Sequence, residues 1–166
     1  MATTQASTLS HITHERMEQF KRLCENVDEE TASHASSGRW SPKEIVSHLC
    51  GPEETRNMST FRAILDEDTP LLDIKVEDPF FTEKRASMRF RELLAKFERE
   101  YRQIADFAHD LSDEQLSRKA HIPMLKETPV GEYPTLAQWI SVIGDHHLGS
   151  HTDHMREILE ELGDEK

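Results

Sequence analysis

Ten histidines occur in 166 residues, and four of them, His146, His147, His151 and His154, fall within a nine-residue stretch. Residues four apart on a helix share a face with Cβ atoms about 5–6 Å apart. His147 and His151 are therefore placed to converge on one divalent ion, at the roughly 2.0–2.1 Å of a zinc–imidazole bond. The apolar stripe Leu136, Trp139, Ile140, Ile143 resumes at Ile158 and Leu162, and its 3-4 alternation runs through His147, His151 and His154. Imidazoles thus stand where a helix bundle usually carries Leu or Ile. Burying such a ring without a partner costs on the order of 1–3 kcal/mol, and a metal ion satisfies several rings together.

Two imidazoles hold an ion weakly, and catalytic sites usually supply three protein ligands, so a third must come from another element. His48, three residues after Ile45 on an apolar face, is the leading candidate; His109, His121 and Glu53 are further donors that residue type alone leaves open. His154 is expected to hold a ring nitrogen beside the ligands rather than to bind the ion. Glu44, one turn before His48, is placed to accept the outer N–H of that ring, although a capping role accounts for it equally. His146 points about 100° away from His147 and is expected in solvent. His11 and His14 read as surface residues. Cys24 sits in a core stripe, as buried thiols commonly do, and Cys50, about 200° round the helix from His48, is poorly placed as ligand or nucleophile.

Three neutral imidazoles leave a divalent ion its full charge and an open position. Such an ion lowers the pKa of a bound water to about 7, the chemistry of a hydrolase, or holds a thiol as its thiolate, the chemistry of a thiol transferase or thiol-assisted isomerase. Zinc or nickel suits the site first, and iron, cobalt and manganese also fit a His-rich set. The sequence contains no phosphate-binding loop, dinucleotide fingerprint, Ser or Cys nucleophile motif or Cys-rich zinc module.

The elements that must position these residues are helical, with no segment of convincing strand alternation. A first helix spans about Ser10 to Glu30, after a loose segment over 1–9. A second opens at Ser41-Pro42-Lys43-Glu44, a capping box with Pro at N1, and continues to Leu65 with a kink at Gly51-Pro52. A connection of about 15 residues, Asp66 to Phe81, is long enough to cross the bundle, so helices two and three are expected to run parallel. The third helix, Thr82 to Asp110, carries Phe90, Leu94, Phe97, Tyr101, Ile104 and Ala108 on one face. A short turn at Leu111 to Arg118 and a Pro-rich loop to Pro134 precede the last helix, boxed by Thr135 and Gln138 and stopped at Gly163. The fold expected is all-α, one up-down four-helix bundle over 1–166 with a long crossover between helices two and three.

Composition narrows the partners. With 20 Lys and Arg against 32 Asp and Glu the net charge is −12, which disfavours nucleic acid and anionic membranes. No apolar run approaches the roughly 18 residues of a membrane span, the start lacks a signal-peptide pattern, and two cysteines without redox spacing fit a reduced cytoplasm. The expected ligand is a small molecule. At 36% apolar residues the core is modest, and a homodimer is compatible with it.

The segments Arg39-Trp40-Ser41-Pro42-Lys43-Glu44-Ile45-Val46-Ser47-His48-Leu49 and Thr135-Leu136 through His147-x-x-x-His151 resemble the DinB-like superfamily of metal-binding four-helix proteins. A Trp-Ser helix start followed by His-Leu, a Leu-Ser-Asp-Glu-Gln-Leu turn and a distal His-x-x-x-His match it in order and spacing over almost the whole chain. The resemblance implies an up-down bundle with a long crossover and metal ligands at His48, His147 and His151. It implies an enzyme such as a thiol-dependent S-transferase or isomerase acting on a small electrophile, with a low-molecular-weight thiol as cosubstrate; a metal-dependent hydrolase and a non-catalytic, stress-related metal-binding bundle are the alternatives. The sequence departs from the pattern at His154, where relatives often have Gln, and at Gly51-Pro52, where an acidic residue often follows.

Overall fold

Thr3 accepts the amide of Ala6 on its side chain and opens helix α1 (Thr4–Cys24). The computed structural model describes residues 3–52, 56–74 and 78–164. Helix α1 includes 4–9, against the loose segment expected there, because the Thr3 cap satisfies an early amide and Ala6 is fully buried. It also ends early, at Cys24, since Asp28 caps a separate short helix, α2 (Glu29–Ser33), by accepting the Thr31 amide at 2.7 Å.

The expected second helix is two. Helix α3 (Pro42–Cys50) starts at the Ser41–Glu44 capping box and ends where Gly51 takes φ +75°; α4 (Arg56–Asp66) follows. Gly51 enters the left-handed region at no steric cost and Pro52 supplies no N–H, so the helix stops rather than kinks. The third helix is also divided, into α5 (Glu83–Ser87), capped by Thr82, and α6 (Phe90–His109), with Met88 and Arg89 extended between them. Short α7 (Asp113–Leu116) opens with a capping box of Ser112 and Gln115, and α8 (Leu136–Ser141) with the expected box of Thr135 and Gln138. A π-helical turn, Val142–His147, joins α8 to α9 (Leu148–Asp164), so the last long helix is continuous with an i→i+5 stretch in its middle and passes Gly163 by one residue.

The bundle is all-α, its four members being α1, α3 with α4, α6, and α8 through α9. Lys43 at the start of α3 pairs with Glu29 at 2.9 Å, Glu29 accepts the Phe90 amide at the start of α6, and Tyr101, midway along α6, donates to Leu49 near the end of α3. Helices α3 and α6 thus run parallel, as a long crossover requires. Helix α1 runs against α6, with Lys21 on Glu98 and Glu18 near Arg102, and α9 runs against α3, with Arg39 reaching Glu157 and Glu161. Phe20, Phe97 and Tyr101 pack through the centre with their rings tilted, Phe20 and Phe97 at 4.8 Å between ring centres. The loop after α7 is laced to the crossover by His121, whose amide donates to Pro70 and whose carbonyl accepts from Leu72. Among the described residues no helix is long and apolar enough to cross a membrane.

Candidate metal centre

His48 occupies the last turn of α3, a position set by the capping box two turns earlier, and is 8% exposed. Its Nδ1 lies 2.7 Å from the carbonyl oxygen of Asp78 in the crossover. A carbonyl only accepts, so Nδ1 carries the proton and Nε2 presents its lone pair inward. The ring is held between Trp40, at 5.1 Å, and Phe80, coplanar within 1° at 6.1 Å.

That inward Nε2 lies 3.0 Å from Nε2 of His147, and the ring of His151 is centred 4.6 Å from both. One nitrogen from each of the three lies within 4.8 Å of the others. Two nitrogens bonded to one ion at about 2.1 Å stand about 3.4 Å apart at the tetrahedral angle and about 3.0 Å apart at a right angle; the 3.0 Å His48–His147 spacing lies at the near end of that range. Burial supports the same use. It pushes the His147 imidazole down to about 4, with the neighbouring His48 adding to the effect. Burial, then His147 and His48, pushes His151 down to about 3. Both rings are neutral at physiological pH, the form in which imidazole ligates.

His154 stands outside this group and touches it: its Nδ1 lies 3.3 Å from Nδ1 of His151, leaving the Nε2 of His151 for the centre. Burial, with Arg39 adding, lowers the pKa of His154. Glu44 does not orient His48. Its carboxylate accepts the Ser41 amide at 3.1 Å in the capping box, and the outer nitrogen of His48 is taken by Asp78. Of the other donors weighed, His109 is exposed beside Asp110, His121 lies against Tyr133 and Glu132, and Glu53 falls outside the described residues. His146, His11 and His14 are exposed. Burial pushes the Cys24 and Cys50 thiols up to about 12, and both are unreactive as nucleophiles.

The π-turn corrects the stripe. One extra residue per turn rotates everything after it by about 100°, so the buried line beyond Ile143 passes through Leu148, Thr152, Met155, Ile158 and Leu162. His147, His151 and His154 therefore line the flank facing α3 and Trp40, half-buried, rather than the core stripe itself. The turn is seated against α1: a Cβ on Gly144 would meet Thr13 Oγ1 at 2.4 Å, and Asp145 pairs with Arg16 at 2.7 Å.

Beside His48 and His147 opens a cavity of about 430 Å³. Leu49, Ile74, Phe80, Met124, Trp139, Val142 and Ile143 give it a largely apolar wall, with Arg56, Asn57 and Thr60 contributing polar groups from α4. Sequence reasoning missed Asp78 and Phe80, which lie in a polar, Pro-containing connection; the paired aromatics Phe80-Phe81 there were the available signal.

A sequence model of the DinB superfamily matches residues 12–158. The fold is similar to that of YfiT from Bacillus subtilis, described as a probable metal-dependent hydrolase with an unusual four-helix bundle topology; the TM-score is 0.75 at 19% identity, covering 98% of this chain and 90% of that one. No curated protein matches. The family match spans most of the sequence and includes all three clustered imidazoles, and the chain belongs to the DinB superfamily.

Proposed function

We propose that this protein is a metal-dependent enzyme in which His48, His147 and His151 bind one divalent ion, zinc or nickel first among the candidates, and the adjoining cavity takes a small electrophile attacked by a low-molecular-weight thiol. The observation that carries the ligand set is the 3.0 Å approach of two Nε2 atoms, one of them the lone-pair nitrogen of His48, whose Nδ1–H donates to the Asp78 carbonyl. An ion there supplies Lewis-acid activation of a thiol or of water.

The chain's own part is positional. Asp78 fixes the tautomer of His48, His154 lies against Nδ1 of His151, and the apolar wall excludes water from the reacting carbon. The sulfur–carbon bond forms as the bond to the leaving group breaks, and the thiol proton passes to solvent. Among the described lining residues Asp78 is the one acid, and its Oδ1 already accepts the Phe80 amide at 2.7 Å. A thiolate needs no general base to attack, which favours thiol transfer. Hydrolysis is the second reading, favoured by the description of YfiT.

Elemental analysis of untreated protein tests the site, with about one ion per chain expected and none in His48→Ala or His151→Ala. Thiol consumption with 1-chloro-2,4-dinitrobenzene and hydrolysis of a p-nitrophenyl ester separate the two reactions. Loss of ester hydrolysis alone in a folded His151→Ala variant selects the hydrolase; metal content unchanged by either substitution removes both.

A further inference from the structure

The polar groups of the cavity wall are unequally committed. Tyr101 donates to Leu49, Thr60 donates to Asn57 and accepts from the Trp139 indole, and Asp78 accepts from Phe80. Arg56 differs. Its Nη2 donates to the Asp73 carbonyl at 2.9 Å, and a guanidinium has five N–H donors. Among the described residues no carboxylate lies within ion-pair distance of it, and it is the one cation lining the cavity.

We infer that the cavity binds small molecules with an apolar body and an anionic group, the anion pairing with Arg56 while the body lies against the apolar wall. In a chain of net charge −12 anions are repelled over most of the surface, so a guanidinium that pairs with no carboxylate among the described residues, at the edge of a largely apolar cavity, is where one is retained. Guanidinium matches carboxylate, phosphate and sulfonate oxygens bidentately. This inference rests on the cavity being the substrate site of the proposed reaction and names the class of substrate it admits.

The test uses metal-free full-length protein and two fluorescent probes that differ by one sulfonate, 8-anilinonaphthalene-1-sulfonate and uncharged N-phenyl-1-naphthylamine. Arg56→Met should weaken the sulfonate probe about tenfold or more, as expected for a hydrogen bond to a charged group, and leave the neutral probe within about twofold. Arg56→Lys, which keeps a point charge without the fork, should fall between. Equal affinity of the sulfonate probe for wild type and Arg56→Met overturns the inference. So does a parallel loss of both probes in Met and Lys variants, which assigns Arg56 to shaping the wall through Asp73. Neither probe needs the metal, so a failed ion site and a failed anion site give different results.

Discussion

The carbonyl oxygen of Asp78 and Nδ1 of His48, 30 residues apart, lie 2.7 Å from one another, and this contact fixes which nitrogen of His48 faces the other two imidazoles. A buried cation holds the chain on either side of this contact. Arg85 Nη1 donates to the Ser47 carbonyl and hydroxyl and to the Phe80 carbonyl at 3.0–3.2 Å, and the Ser47 hydroxyl also donates to Phe80. Phe80 sits at φ +50°, a conformation a bulky residue holds only when its surroundings impose it.

The Arg85 clamp gives the first prediction. Arg85→Met releases the Phe80 carbonyl and lets the crossover relax, so Asp78 no longer pins His48. Metal affinity should fall about 10–100-fold, the usual effect of losing a group that orients a ligand, with Arg85→Lys partly restoring it. Competition against a chelator of known affinity measures the change. The absorption spectrum of cobalt-loaded protein should broaden or shift in the Met variant, which a purely structural loss with the site intact would not produce.

Trp40 gives a second. Its ring lies 5.1 Å from His48 and is parallel within 9° to His151 at 6.4 Å. A paramagnetic ion at the three imidazoles should quench the fluorescence of Trp40 at about one equivalent of added nickel or cobalt. His147→Ala should abolish that saturable quenching, and Trp40→Phe should remove most of its amplitude. Quenching that survives His147→Ala would place the ion elsewhere.

Acid titration gives a third. His147 and His151 are held at about 4 and about 3 in the fold, against 6.5 for an ordinary imidazole. With folded values below unfolded ones, the unfolded chain binds more protons as pH drops below about 6.5. The metal-free fold should therefore be insensitive to these groups above pH 7 and lose stability progressively from about pH 6.5 to below pH 4. Thermal melts across that range should show a shallower decline in the His147→Gln/His151→Gln double variant. An identical slope would mean that other groups carry the acid sensitivity.

Local signals were legible in the sequence and long-range ones were not. The boxes at Ser41–Glu44, Ser112–Gln115 and Thr135–Gln138 pair residues three apart, so spacing alone locates three helix starts. The grouping of His48 with His147 and His151 followed from helical phase and from the family pattern. The partner of His48 did not, because a backbone carbonyl leaves no mark on residue type. Nor did the π-turn: no residue type encodes an i→i+5 bond, and His147 and His151, one α-helical turn apart at its end, stay neighbours while the core stripe changes phase. Gly51-Pro52 marked a disturbance in the sequence, but not whether the helix bends or stops there, and the extended pair Met88-Arg89 carries no breaking residue type.

The π-turn's seat on α1 yields the last prediction. Gly144 is buried where a Cβ would approach Thr13 Oγ1 to 2.4 Å, Cγ2 to 3.0 Å and Cβ to 3.2 Å. Gly144→Ala must therefore displace either the Thr13 side chain, itself 2% exposed, or the turn that carries His147. Overpacking of this kind costs about 1–3 kcal/mol, a fall of roughly 2–12 °C in Tm for a chain of this size. Thr13→Ala removes Oγ1 and Cγ2 and leaves only the 3.2 Å approach, so the double variant Thr13→Ala/Gly144→Ala should recover most of the loss attributable to Gly144→Ala, a coupling that a double-mutant cycle reads directly. If the turn moves rather than Thr13, metal affinity will fall in Gly144→Ala and return in the double variant. Strictly additive effects of the two substitutions would show that contact with Thr13 does not hold the turn in place.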